Sequence, residues 1–373
     1  MKKLNFAIPF NGFAGTSFLN CFSCVYMFLE GIDAGKSDYD CPQLKGKSCN
    51  SCGNCAKGGY TPISRQECWF FLFDTMCGRS SLRCRFDGTP TEMQRMIGDP
   101  VPYAAPYEGG TDDSIDFLFG FAGYAYRKAT EGFQDEIAAS INAGRPVIAK
   151  AAKGMRVIIG YDKEKLLEPD YKNAQNLPKK AKPVKLDELE ALYIISEKIE
   201  PRFKVMDGLQ RIKRVMEYNM SEKLWDGYIE KMGLYTADSL GSCDAEEKQA
   251  RMKRVKETMW HTWNCHNFGQ VFRQYRKDGD PTFYDGISDM HRLNNPALTE
   301  HYDRISGPCC GYTHDLAWAL VGLEEVADWK KNYTFRMGYT GEMVELVLAQ
   351  IKKNDEACYE AICKIITVLE ENH

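Results

Sequence analysis

Ala143-Gly144-Arg145-Pro146-Val147-Ile148, followed by Gly154-Met155-Arg156-Val157-Ile158-Ile159-Gly160-Tyr161-Asp162, is the stretch on which the fold turns. Just before it, Phe133 to Ala143 has the spacing of a short helix, and Gly144 ends that helix. Then the period changes. Pro146-Val147-Ile148-Ala149 and Val157-Ile158-Ile159-Gly160-Tyr161 are short apolar runs rich in β-branched residues, which is the pattern of strands. The link between them is short, so they are expected to pair as an antiparallel hairpin. Leu192-Tyr193-Ile194-Ile195 supplies a third strand, and residues 172–185, rich in Pro, Lys and Asn, read as a mobile surface loop.

Upstream, Phe18 to Glu30 is apolar with helical spacing, and Gly31 stops it. Thr89-Pro90-Thr91-Glu92 reads as a helix start, with Thr89 as N-cap, Pro90 in the first turn and Glu92 reaching back. From about residue 201 the chain reads helical almost to its end. Ile212, Val215, Met216 and Met220 suit one helix face; Met259, Trp263, Phe268, Val271 and Phe272 suit another; Met343 to Leu369 is a long amphipathic stretch. The expected fold class is therefore α+β: residues 1–200 form a helix-plus-antiparallel-sheet domain with a Cys-rich insertion over 41–84, and residues 201–373 form an all-helical domain.

A helix, a Gly-Arg-Pro-Val-Ile strand and a strand ending Gly-Tyr-Asp resemble the core of papain-like cysteine peptidases, in particular the bacteriocin-processing type and the N-terminal domain of the butirosin acyltransferase. The resemblance covers about residues 8–200. It implies a nucleophilic Cys opening an early helix, a His at the start of the second strand, and an acidic or amide residue soon after. Asn20-Cys21 stands where the nucleophile is expected, and Cys24, three residues on along the same helix face, is the second candidate. The acidic partner falls on Glu168 or Asp170. The His should fall near Gly154 or Met155, and neither side chain takes a proton. All six histidines lie beyond residue 260, so His261 or His266 would have to fold back over the thiol. A thiol attacks acyl carbons as thiolate, and losing general-base help typically costs a factor of about 10² to 10⁴. The resemblance therefore implies either thiol-dependent acyl handling, by amide hydrolysis or acyl transfer, or a binding and scaffold protein that kept the fold and lost catalysis. The expected partner is a small-molecule or carrier-bound acyl or peptide substrate.

Cys41, Cys49, Cys52 and Cys55 are spaced C-x7-C-x2-C-x2-C, with Gly and Asn between the last three. Two-residue gaps let thiolates converge on one centre. Four thiolates suit tetrahedral zinc. The C-x2-C-x2-C run equally resembles half of a bacterial ferredoxin motif, which points to an iron–sulfur cluster and redox chemistry. His261 with Cys265, and the Cys309-Cys310-Gly311 run, are weaker hints of the same kind.

A formal charge of −4 gives no global pull toward nucleic acid or membrane. No stretch approaches the roughly 20 apolar residues that span a bilayer, and Asn5, Pro9 and Asn11 interrupt any secretory core. A cytoplasmic location is expected. There the fifteen cysteines are read as thiols, metal ligands or a nucleophile rather than as disulfides. Gly120-Phe121-Ala122-Gly123 lacks the Lys and Ser/Thr of a phosphate loop. The aromatic stripes of the second half would permit a homodimer.

Overall fold

The computed structural model describes residues 1–8, 17–32, 62–83, 85, 91–97, 112–152, 154–163, 165–170, 180–227, 242–247, 250, 267–276, 282, 284–307, 309 and 341–371. These form helices and antiparallel sheets, an α+β protein. They fall into two units: Met1–Cys77 with Pro106–Val205 and Asp280–Asn294, and Gly78–Ala105 with Met206–Gly279 and Asn295–His373.

The first unit contains helices α1 (Phe18–Leu29), α2 (Pro62–Met76), α4 (Asp112–Ala122) and α5 (Phe133–Asn142), with α3 (Glu92–Ile97) belonging to the second unit. Among the described residues its strands are β1 (Lys2–Lys3), β2 (Tyr124–Ala129), β3 (Val147–Ala151), β4 (Gly154–Ile158), β5 (Gly160–Asp162), β6 (Lys165–Asp170), β7 (Lys180–Val184) and β8 (Leu189–Lys198). They make two four-stranded sheets, ordered β2-β8-β3-β4 and β1-β5-β6-β7, and every pairing is antiparallel. The β3–β4 hairpin pairs Val147 with Ile158 and Ile148 with Val157, as the sequence pattern predicts. Strand β8 contains the expected Leu192–Ile195 run and pairs Ile148 with Tyr193.

Three local expectations are corrected. The run Val157–Tyr161 is not one strand. It breaks at Ile159, so β4 ends in one sheet and β5 begins in the other. Periodicity within one apolar run carries no information on which sheet each half joins. Residues 180–184, read as loop, form β7, where the Glu168 carboxylate meets the Lys182 ammonium across the strands. The cap of α3 is Thr91 rather than Thr89. The Gln94 N–H donates to Thr91 Oγ1 at 3.1 Å and the Thr91 N–H donates to Gln94 Oε1 at 2.7 Å, a reciprocal box shifted two residues along.

The pairing of β5 with β1 depends on glycine. β5 lies so close to β1 that a Cβ at Gly160 would fall 2.9 Å from Lys3 Cα and closer still to the Lys2 carbonyl oxygen. Backbone atoms cannot swing aside as a side-chain tip can. Gly160→Ala is therefore expected to cost about 1–3 kcal/mol through forced separation of β1 from β5. A urea midpoint indistinguishable from the parent's would refute this.

Both faces of the β3–β4 pair are covered. One face carries Val147, Ala149, Ile158, Leu192 and Ile194, packed with Ile137 and Ile141 of α5. The other carries Ile148, Tyr193 and Val157, and here α1 docks: Phe18 meets the Tyr193 ring edge-on with centroids 5.2 Å apart. Behind α1, Phe22 makes edge contacts with Phe73 of α2 and Phe119 of α4, each at 4.9 Å. The Tyr284 hydroxyl donates to the Cys68 carbonyl of α2 at 2.7 Å, which ties residues 284–294 into this unit.

The second unit holds α3, α6 (Val205–Ser221, whose first residue belongs to the first unit), α7 (Thr299–Gly307) and α8 (Gly341–Glu371). Leu82, Met93, Ile97 and Val215 pack α3 against α6. The sequence expectation of continuous helix from residue 201 fails over 284–298. That stretch is turns and two short 3-10 helices, Met290–Leu293 and Pro296–Leu298. Among the described residues no helix is long and apolar enough to cross a membrane.

Candidate functional site

The first turn of α1 is organised by Ser17. Its hydroxyl accepts the Asn20 N–H at 3.1 Å and its carbonyl accepts the Cys21 N–H at 3.1 Å. Cys21 thus makes the first backbone hydrogen bond of α1. Cys24 follows one turn later. The helix dipole favours an anion here by about 0.3–1 kcal/mol.

Burial overwhelms that term. Cys21 and Cys24 are both fully inaccessible. Removal from water pushes the Cys21 thiol far above its ordinary value; the Glu168 carboxylate pushes it further the same way, and the Arg156 guanidinium opposes only in part. Cys24 is raised chiefly by burial and then by Cys21, against a hydrogen bond from Ser23. Both sulfurs are held as neutral thiols, which are poor nucleophiles.

The sheet register shows what faces them. Side chains alternate along a strand. Ile158 and Arg156 share the α5 face of β4, and Val157 and Met155 share the α1 face. Met155 is buried and, with Gly154, begins β4, where the sequence reading expected a histidine. A thioether neither takes nor gives a proton. Arg156 and Glu168 form a tight pair, with Nη1 donating to Oε1 at 3.2 Å and to Oε2 at 3.4 Å, and Lys182 Nζ adds a contact to Oε1 at 3.0 Å. Glu168 is buried, and the pair acts on Cys21 through space.

Three of the sequence candidates, Cys21, Cys24 and Glu168, are therefore brought into one electrostatic neighbourhood. Sequence reading missed Arg156, the charge that accompanies Glu168. A signal was present: a basic residue inside an otherwise apolar strand demands a carboxylate partner. His266, His261, Cys265 and the cluster Cys41, Cys49, Cys52 and Cys55 lie outside the described residues, as does Cys310. His291 is exposed on the short helix Met290–Leu293 of the first unit, and Asp170 ends β6. Among the described residues no group of three or more His, Cys, Asp or Glu side chains is arranged to hold a metal ion. No family model, no curated protein and no solved structure matches the chain.

Proposed function

We propose that the first unit is a papain-like module that has kept its thiol-bearing helix and given up thiol catalysis, and that it acts by binding. Its ligand class is the one the resemblance implies, an acyl or peptide group, free or on a carrier. The observation that supports this reading is the complete burial of Cys21 as a neutral thiol, together with Gly154 and Met155, neither of which carries a proton, at the strand start where the resemblance expects an imidazole. A methionine there fills space and carries no proton.

One observation favours a second reading, acyl transfer through Cys21. The thiol still sits on a capped first turn, with a guanidinium and a carboxylate acting on it. Without an imidazole to protonate an amine, the donor would have to be a thioester, whose thiolate leaves unaided. The Cys21 sulfur–acyl bond would form as the donor carbon–sulfur bond breaks, and the departing thiolate would take the Cys21 proton.

Incubation with a short acyl thioester followed by intact mass and peptide mapping separates the two. The binding reading expects no acyl adduct on Cys21; among the described cysteines, the partly exposed Cys243 and Cys363 react slowly. A single adduct on Cys21 that vanishes in Cys21→Ala would overturn it and establish acyl transfer. For the cysteine cluster, metal analysis of protein purified without oxygen is the deciding measurement: absorbance near 400 nm means iron–sulfur, and zinc alone means a structural staple.

A further inference from the structure

We propose that Cys309 and Cys358, in the second unit, are a paired modification site that peroxide converts to a disulfide. Their sulfurs lie 3.5 Å apart with both residues buried, although they are 49 positions apart in the chain. A disulfide needs about 2.05 Å between sulfurs, so closure requires only a small approach. Cys358 lies on α8, and Cys309 lies just beyond α7, two helices already packed together. The Cys358 thiol also lies 4.0 Å from the Arg304 carbonyl oxygen, which orients it within the pair.

A cavity of about 220 Å³ is lined by Met216, Met220, Trp225, Asp226, Lys352 and Asp355, among others. Asp355 is one helical turn before Cys358, and its carboxylate grips the Arg83 guanidinium. Both groups act electrostatically on Cys309. The Arg83 cation favours the thiolate there, against the larger opposing effects of the Cys358 hydrogen bond and burial. The reaction is therefore slow, and it runs faster as pH rises.

The steps balance. The Cys309 sulfur attacks one peroxide oxygen; the O–O bond breaks, water leaves and a sulfenic acid remains. The Cys358 sulfur then attacks the Cys309 sulfur and expels a second water. The two sulfurs lose two electrons, the peroxide gains them, and both thiol protons end in water. The product fastens α8 to the chain after α7 across a loop of nearly fifty residues.

The test uses the full chain, reduced and then treated with hydrogen peroxide, alkylated and digested without reductant. The expected product is one peptide linking Cys309 to Cys358, lighter by two hydrogens and separated again by dithiothreitol. Its yield should exceed that from chain unfolded in urea before oxidation. The linked protein should melt about 10 °C higher than the reduced one, a rise absent in Cys358→Ser. Recovery of alkylated Cys358, linkage of Cys358 to a different cysteine, equal yield from unfolded chain, or no rise in melting temperature would each overturn the proposal.

Discussion

Near pH 7, iodoacetamide is expected to leave Cys21 and Cys24 unmodified in the folded protein for as long as Cys243 and Cys363 take to react fully, a rate difference of at least about 10³-fold. Only thiolate is alkylated. Burial first, then the Glu168 carboxylate, keep Cys21 protonated, and the Arg156 cation does not compensate. Because the thiolate fraction rises tenfold per pH unit below the thiol's own value, labelling of folded Cys21 should keep accelerating with pH well past the point where an ordinary cysteine has levelled off. The same displacement governs stability. The folded chain holds the proton more tightly than the unfolded chain does. This contribution is complete below the unfolded value of about 8.5 and is lost as pH climbs beyond it, by about 2 kcal/mol for Cys21 at pH 10. Rapid labelling of Cys21 at neutral pH would show an open, ionised nucleophile and would defeat the binding reading directly.

Asp355→Ala should cost about 3–5 kcal/mol. Arg83 is 2% exposed and its guanidinium is held in a fork, Nε to Oδ2 at 3.1 Å and Nη2 to Oδ1 at 3.0 Å. The Trp225 indole N–H donates to the same carboxylate at 2.6 Å, and the guanidinium stacks 5.5 Å from the indole centre. Truncating the carboxylate removes at once the acceptor of two guanidinium donors and of the indole N–H, and the buried cation's paired charge. Carbonyls of Ser80 and Leu82 accept from Nη1. Arg83→Met combined with Asp355→Leu removes both charges and should recover most of the loss. Urea midpoints for the two single changes and the double form the cycle; additive losses would mean that the pair carries no coupling.

The sequence made some features legible because they are local. The apolar spacing of Phe18–Glu30 and the glycine after it delimit α1 to within a residue, and the β-branched runs about Arg145–Asp162 delimit the hairpin. Gly144, in the left-handed region at φ +80°, ends α5 where expected. What the pattern concealed is non-local. Nothing in Ile158-Ile159-Gly160 announces a change of sheet, because both halves are equally apolar. The displaced cap at Thr91 hinged on which of two threonines found its glutamine, and Gln94 is the same distance from Thr91 as Glu92 is from Thr89. At the candidate site, position 155 could be read as lacking a proton carrier. The adjacent Arg156, its link to Glu168 and the complete burial of the thiol depended on two strands from different sheets.

The corner at Ile159 has a mechanical consequence. The chain crosses from one sheet to the other through a single residue, with no slack to absorb tension. Arg156 stands on β4 before the corner and Glu168 on β6 beyond it, so their bond works as a brace spanning the bend. Any traction that pivots one sheet against the other must stretch that brace, whose two charges act on the Cys21 sulfur.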